Sequence, residues 1–251
     1  MKAFVISLPS DKSRRSHIRG QLEKLSMEYE FFDAVLGSER MGDLRWYDPE
    51  EALKCEDRYL RPGEVGCALS HAAVYSEIVR LDLPWALVLE DDAVLHDDLV
   101  AVLQALEAGA IQQGDIISLS RCDQYKPWTK RPLFGRYALV EPFLVREGST
   151  AQTVGYVITR EAARAIAAVN IPVKFPADSW GYYKGKVRFL GVIPTLTLIT
   201  QKVELGSTTT SDGTRRIFKP YALSDLLWHG FKTYNPVGKR MKKLAKRIVG
   251  S

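Results

Sequence analysis

Three consecutive carboxylates, Glu90, Asp91 and Asp92, are the residues of this chain best suited to chemistry. They follow directly on residues 86–89, an apolar run without polar alternation, which is typical of a strand covered on both faces in a parallel sheet. Adjacent carboxylates repel one another, and burying them is costly unless a cation, basic side chains or water compensates. Ligands of open α/β sheets bind beyond the carboxyl ends of the strands. The cluster therefore predicts a divalent metal held by oxygen ligands, with a phosphate-bearing substrate as co-ligand.

The alternative interpretation of this cluster is a solvated acidic turn in front of a helix that Asp97 and Asp98 cap. For an isolated acidic triplet the turn is the more common arrangement. The sequence upstream of this triplet favours the metal site instead.

The composition predicts a globular α/β protein. The chain has 251 residues, of which 46% are hydrophobic and 26% charged, enough for one large domain or two small ones. Its three cysteines, Cys55, Cys67 and Cys122, are odd in number and lack C-x-x-C spacing, which favours reduced thiols over a disulfide set or a zinc site. The apolar stretch at residues 3–8 is too short for a signal peptide and no window resembles a transmembrane span, so we expect a cytoplasmic protein.

The net charge of +5 belongs to the C-terminus. Six of the 35 basic residues lie in the segment 239–247, and the rest of the chain holds 29 basic against 30 acidic residues. A nearly neutral body disfavours a protein that binds nucleic acid.

The remaining elements are predicted from periodicity and caps. A strand over residues 2–8 leads into a helix that Ser10 could cap, and a second strand covers 28–35. A long helix begins at Pro62, and further strands are expected at 115–120 and 153–158, the last followed by a helix with Thr159 as its N-cap. Residues 38–60 are predicted to be a loop that could include one helical turn, and residues 121–135 a polar and aromatic loop.

Two blocks of the sequence resemble glycosyltransferase family 25, which includes bacterial lipooligosaccharide β-galactosyltransferases. They are Arg61-Pro-Gly-Glu-Val-Gly-Cys-Ala-Leu-Ser-His71 and Leu87-Val-Leu-Glu-Asp-Asp92. Weaker matches are residues 6–15, 32–37, 155–163 and 176–180, so the resemblance runs from about residue 3 to 210. It implies a GT-A-like fold, with a Rossmann-type mixed sheet flanked by helices, and a UDP-sugar as donor.

The chemistry of sugar transfer distributes roles among the acidic residues. Glu90 and Asp92 are expected to hold Mn²⁺ or Mg²⁺, which neutralises the nucleoside diphosphate as it leaves. Inversion requires a base for the acceptor hydroxyl; Asp178 is predicted, with Asp91 as the alternative. The matched blocks imply donor-binding roles for a further set of residues: Leu8, Arg15, Asp33, Gly37, Ser70 and His71. His71 could equally be a core histidine with one satisfied hydrogen bond, and Arg15 a solvated helix charge.

The sequence thus predicts an inverting transferase domain over residues 1–235, moving galactose from UDP-galactose to a glycan or glycolipid acceptor in lipopolysaccharide or lipooligosaccharide biosynthesis. Alternatives are a relative that uses another UDP-sugar such as glucose or xylose, a metal-dependent phosphohydrolase, or a non-catalytic carbohydrate-binding protein. Residues 236–251 form a basic tail in which Met241, Leu244, Ala245 and Ile248 make one apolar stripe. Such a helix can lie on an anionic membrane surface, which predicts peripheral association with the inner face of the membrane.

Overall fold

A computed structural model describes residues 1–143 and 152–202 of the chain. The predicted domain boundary at residue 235 and the basic tail lie outside these residues. The helices are α1 (Lys12–Lys24), α2 (Pro49–Glu56), α3 (Pro62–Arg80), α4 (Leu99–Ala105) and α5 (Arg160–Ile166). The strands are β1 (Ala3–Ser7), β2 (Tyr29–Asp33), β3 (Trp85–Glu90), β4 (Ala93–Leu95), β5 (Asp115–Ser118), β6 (Arg131–Phe134), β7 (Tyr137–Val140), β8 (Gly155–Thr159), β9 (Arg188–Ile193) and β10 (Ile199–Gln201).

Eight of these strands form one mixed sheet in the order β2-β1-β3-β8-β5-β9-β7-β6. The pairs β1–β2, β1–β3 and β5–β9 are parallel, whereas β8 is antiparallel to both β3 and β5. Strands β4 and β10 make a separate antiparallel pair. The expected mixed α/β sheet is confirmed, although β3 has one antiparallel neighbour.

Helices cover both faces of this sheet, as the unbroken apolar run of β3 predicts. Leu87 and Leu89 join one core cluster, whose helical members come from α1 and α4: Ile18, Leu22, Leu99 and Val102. Ala86 and Val88 join the other, to which α3 and α5 contribute Val74, Ile78, Ala162 and Ile166. Alternate residues of β3 therefore face opposite cores, and no position of the strand is left for a polar side chain until Glu90.

The structure corrects four local predictions. Residues 38–60 contain α2, whose start is fixed by Asp48, which accepts a hydrogen bond from Glu51 N at 2.9 Å, and by Pro49 in its first turn. The predicted loop 121–135 contains β6, an edge strand. The N-cap of α1 is Asp11, which accepts from Arg14 N, and not Ser10. Asp98 occupies the N-cap position of α4 but its side chain makes no capping bond, accepting instead from the Tyr137 hydroxyl at 2.6 Å, and Asp97 binds Lys24.

The turn after β2 and helix α3 approach each other more closely than side chains allow. A Cβ atom on Gly37 would lie 1.8 Å from the carbonyl oxygen of Pro62, and one on Gly66 would lie 2.5 Å from the carbonyl oxygen of Val35. Backbone therefore meets backbone at both positions. This contact fixes where α3 begins relative to the carboxyl end of β2.

We expect alanine at Gly37 or at Gly66 to lower the free energy of unfolding by about 1–3 kcal/mol, since neither backbone can yield without shifting an element. Gly20→Ala is the matched control: it lies in α1 with nothing within 4 Å, and should be neutral or slightly stabilising. Urea unfolding followed by circular dichroism measures the differences. Equal midpoints for Gly37→Ala and Gly20→Ala would contradict the close approach.

Candidate functional site

The acidic residues lie at the edge of the sheet where five strands of the same direction end: β1, β2, β3, β5 and β9. Because β3 and β5 are both antiparallel to β8, they run in the same direction, as do β1 and β9 beside them. Glu90 is the last residue of β3, and Ser7 and Asp33 end β1 and β2. This edge is the ordinary ligand-binding edge of an open α/β sheet.

Asp91 is buried, and each of its carboxylate oxygens accepts a hydrogen bond. Its Oδ1 accepts a hydrogen bond from Arg14 Nη1 at 2.8 Å, and its Oδ2 accepts one from the Ser7 hydroxyl at 2.7 Å. The side chains of Arg14 and Asp91 are each 9% exposed, so this is a buried ion pair between α1 and the end of β3. The sequence predicts a donor-binding role for Arg15, whereas the arginine that binds the acidic cluster is its neighbour Arg14.

Asp92 is only half satisfied. Its Oδ2 accepts from Gln201 Nε2 at 2.9 Å, whereas its Oδ1 is buried and has no hydrogen-bond partner among residues 1–143 and 152–202. Burial is the main cause that raises the pKa of Asp92 to about 6, and repulsion from Glu90 adds to it. A buried carboxylate oxygen without a donor, next to a second carboxylate, fits a hard divalent cation as the missing partner.

Glu90 lies against the histidine of α3. His71 Nε2 is 3.4 Å from Glu90 Oε1, and His71 itself is 1% exposed. Burial is the largest single influence on Glu90 and raises its pKa, but His71, Thr153 and Arg14 together hold that pKa below its usual value. Glu90 is therefore the charged member of the acidic pair, and Asp92 is the member that exchanges a proton near neutral pH.

The second ring nitrogen of His71 is hydrogen-bonded to a tyrosine, which in turn bonds to another tyrosine. Its Nδ1 is 2.7 Å from the Tyr156 hydroxyl, which donates to the Tyr75 hydroxyl at 3.0 Å. Cys67, one turn before His71 in α3, also faces this group, and burial raises the pKa of its thiol well above the usual value. All three cysteines are free thiols.

Asp178 lies in the segment between Phe175 and Trp180, both of which are buried in the sheet's core. Burial raises the pKa of Asp178 to about 6, with repulsion from Glu90 as the next cause and an opposing hydrogen bond from its own backbone amide. Asp178 is therefore close enough to Glu90 for the two carboxylates to repel each other, and its role as the base stays a prediction.

The remaining predicted donor-binding residues fall into two groups. Arg15 donates from Nη2 to the Ser7 carbonyl at 2.9 Å and pairs with Asp33, so both residues stand with Leu8 at the ends of β1 and β2. Ser70 is fully buried: its hydroxyl donates to the Gly66 carbonyl and accepts from Val35 N.

Ser70 and Gly37 thus fasten the turn after β2 to α3. Direct donor contact by Ser70 or Gly37 stays a prediction.

A cavity of about 360 Å³ opens farther along the same edge, beyond the ends of β5 and β9. Tyr125, Lys130 and Arg136 line it together with Cys122, Asp123 and Thr195. In the sequence, the only indication of a binding region here is the group of aromatic and basic residues between 121 and 136. Its position on the same edge as the acidic cluster, with β8 and β5 between β3 and β9, follows from the sheet order, which periodicity does not reveal.

Comparison with known proteins gives a family match over most of the chain. The model of Glycosyltransferase family 25 (LPS biosynthesis protein) matches residues 1–180. The lipooligosaccharide biosynthesis protein lic2B of Haemophilus influenzae is 32% identical over 66% of this chain and 62% of its own length. The lacto-N-neotetraose biosynthesis glycosyltransferase LgtE of Neisseria gonorrhoeae is 28% identical over 65% of this chain and 59% of its own. The chain therefore spans about three fifths of either relative.

Among solved structures, mannose-1-phosphate geranyltransferase from Thermus thermophilus is similar with a TM-score of 0.39 at 15% identity, over 76% of this chain and 72% of that one. A similarity of this size carries no argument about function. Among the described residues, no helix is long and apolar enough to cross a membrane.

The buried ion pair makes a prediction about stability. Arg14→Ala should lower the free energy of unfolding by about 3–5 kcal/mol, because it leaves the Asp91 carboxylate buried without its cation. Lys24→Ala removes the exposed pair between Lys24 and Asp97, 2.9 Å apart, and should cost less than about 1 kcal/mol. Chemical denaturation of both variants measures the contrast, and an Arg14→Ala effect as small as that of Lys24→Ala would show that Asp91 is adequately solvated.

Proposed function

This chain belongs to glycosyltransferase family 25, and from that membership we propose that it is an inverting glycosyltransferase that moves galactose from UDP-galactose to a saccharide acceptor in lipooligosaccharide or lipopolysaccharide biosynthesis. The descriptions of the family and of the two bacterial relatives support the pathway. The observation that carries the proposal is the pair Glu90 and Asp92 at the carboxyl end of β3, with the buried Oδ1 of Asp92 lacking a donor among the described residues. A GT-A-like placement of the donor across the ends of β1, β2 and β3 belongs to the same proposal.

Glu90 and Asp92 are proposed to hold Mn²⁺ or Mg²⁺, directly or through water. When bound, such a cation acts as a Lewis acid that offsets the charge of the departing nucleoside diphosphate. The protein's own contribution is the charge of Glu90, maintained by His71, and the half-satisfied carboxylate of Asp92, oriented by Gln201. Arg15, Asp33 and Leu8 at the ends of the neighbouring strands are proposed to position the uridine and ribose.

Asp178 is proposed as the general base in preference to Asp91. Both carboxylate oxygens of Asp91 already accept hydrogen bonds, from Arg14 and Ser7, so a proton from the acceptor would have to compete with these two buried partners. Asp178 has no such ion pair among the described residues, and its pKa of about 6 suits a base that works near neutral pH. It would take the proton of the acceptor hydroxyl as that oxygen bonds to the anomeric carbon, while the bond from this carbon to the diphosphate oxygen breaks on the opposite side.

The cavity beyond β5 and β9 is proposed as the acceptor side of the site. Its Tyr125 offers an aromatic ring, and Lys130 and Arg136 offer charged donors suited to the hydroxyl and phosphate groups of a lipopolysaccharide core. The donor side and this cavity lie on one sheet edge, which would let an acceptor hydroxyl reach the donor from the flank.

The acidic pair is tested by Asp92→Asn and by chelation. Transfer from UDP-galactose should fall by about a hundredfold or more in either case, since Lewis-acid stabilisation amounts to several kcal/mol. The fold should persist, because Asn retains the size of the side chain and can still accept from Gln201. Thermal stabilisation by UDP-sugars with and without Mn²⁺ identifies the donor, and release of phosphate from simple esters would instead indicate a phosphohydrolase. Undiminished transfer after chelation contradicts the proposed cation.

The base is tested by Asp178→Asn through activity and stability together. Turnover should fall about a hundredfold or more with donor binding retained. Since the folded pKa of about 6 lies above the usual 3.8, the charged carboxylate disfavours the folded state at higher pH. Asn should therefore raise the free energy of unfolding by about 1–3 kcal/mol at about pH 7.5, and this gain should vanish as the pH falls towards 4.

Wild-type turnover should correspondingly decrease as the pH falls through about 6, where Asp178 takes up a proton. Asp91→Asn is the comparison variant for the activity measurement. Loss of turnover in Asp91→Asn with normal turnover in Asp178→Asn would assign the base to Asp91.

The basic tail at residues 236–251 is proposed to bind an anionic membrane surface, which would hold a cytoplasmic enzyme beside a lipid-linked acceptor. The tail lies outside the described residues, and the proposal rests on its sequence: an apolar stripe among six basic residues in 239–247, each basic residue contributing about 1 kcal/mol at an anionic surface. The full chain should cosediment with anionic liposomes at low salt and less at high salt, whereas a chain ending at Val237 should not. Equal binding by both chains would rule out the tail as the membrane contact.

A further inference from the structure

Three potential metal ligands of mixed chemistry converge beside the acidic pair. A sulfur of Cys67, a ring nitrogen of His71 and a carboxylate oxygen of Glu90 all lie within 4.8 Å of one another. Cys67 and His71 are four residues apart in α3, so their side chains project from the same face of the helix, and Glu90 closes the group from the end of β3. We infer that these three side chains form a binding site for zinc.

The hydrogen bonds behind His71 prepare it as a ligand. The Tyr156 hydroxyl donates its single proton to Tyr75, so at 2.7 Å it can only accept from His71 Nδ1–H. Nε2, which lies 3.4 Å from Glu90 Oε1, is then the ring nitrogen left for a metal, and a proton that it directs at Glu90 in the absence of metal would be displaced to solvent by the cation. Nε2 is buried and makes no hydrogen bond within residues 1–143 and 152–202. A ligating histidine typically has its other ring nitrogen held in this way, which fixes both the tautomer and the orientation of the ring.

The donor atoms select the metal. Sulfur, imidazole nitrogen and one carboxylate oxygen suit the borderline-soft Zn²⁺, whereas Mn²⁺ and Mg²⁺ prefer oxygen alone. Zinc would bind the Cys67 sulfur as thiolate, displacing its proton to solvent, and three protein ligands leave a fourth position for water. Cys67 is partly exposed and so is Glu90, which gives the ion a path of entry.

Glu90 belongs to both the zinc group and the proposed oxygen-donor pair with Asp92. The two cations would therefore compete, and zinc would inhibit transfer; this consequence rests on the proposed function. The cysteine spacing alone does not reveal the site, because the second ligand is a histidine at i+4 and the third comes from another element 19 positions farther along the chain.

Cobalt(II) is the probe for the full-length protein, because a cobalt–thiolate bond gives a charge-transfer band in the near ultraviolet. Wild type should show this band together with strong visible bands of tetrahedral cobalt, and zinc should abolish both by displacement. Cys67→Ser should lack the charge-transfer band, while Cys55→Ser, the matched control, should retain it. Absence of the band in wild type, or its persistence in Cys67→Ser, would overturn the site.

A substitution at a residue that is not itself a zinc ligand tests the arrangement independently. Tyr156→Phe removes the acceptor behind His71 and should weaken zinc binding, measured against a competing chelator, by about 10–100-fold. Should Cys67→Ser fail to fold, alkylation of wild type followed by mass spectrometry decides: zinc should protect Cys67 and leave Cys55 reactive. Equal alkylation of both thiols with and without zinc would refute the proposal.

Asp92→Asn separates this inference from the proposed function. The variant should keep the cobalt–thiolate band even though it loses transfer. If the band disappears with Asp92, the cation sits on the oxygen-donor pair and the thiolate site is wrong. If the band is retained but wild-type transfer is indifferent to chelation, the zinc site stands and the proposed catalytic cation fails.

Discussion

Three negative charges in succession at the end of a buried strand are the constraint around which this structure is arranged. Burial of β3 between two helical layers leaves Glu90, Asp91 and Asp92 no room to disperse, so each is compensated by a different element. Helix α1 supplies Arg14 to Asp91, α3 supplies His71 to Glu90, and β10 supplies Gln201 to Asp92. Loss of the Arg14 cation would be the most costly of these, at several kcal/mol, because Asp91 would keep only the neutral Ser7 hydroxyl as its partner.

Helix α3 positions the site by means of two adjacent residues. Ser70 binds the turn after β2, where Gly37 and Gly66 let the backbones touch, and His71 on the next position faces Glu90. The packing of the turn therefore sets the angle at which the imidazole reaches the end of β3. Two parts of this family-like block thus have different contacts: Ser70 binds the turn after β2, and His71 faces the acidic cluster.

Local sequence signals predicted the elements better than the contacts between them. Three signals could be recognised in the sequence because each acts within a few residues: the apolar run of β3, Pro62 at the start of α3 and the N-cap Thr159. Helix α2 was missed although Asp48 and Pro49 mark its start, since polar and aromatic residues without a clear period surround it. The roles of Arg14 and Gln201 could not be predicted, because their partners lie 77 and 109 positions away in the chain. Nothing in the local sequence distinguishes Arg14 from the adjacent Arg15, since both are basic residues in the first turn of α1. The proposed assignments of base and metal depend on such distant contacts.

The insertion of β8 between β3 and β5 has a consequence for biosynthesis. On the ribosome, β3 emerges with only β1 as a neighbour, and β5 emerges with none, because both of its neighbours come later in the chain. Until residues 155–159 are synthesised, two apolar strands present open edges, of the kind that chaperones cover and that otherwise pair between chains. His71 meets Tyr156 only when β8 enters the sheet, and Asp92 meets Gln201 only after β10 is synthesised, so the acidic edge acquires its partners late in synthesis. A prematurely terminated chain would thus be both inactive and prone to aggregate.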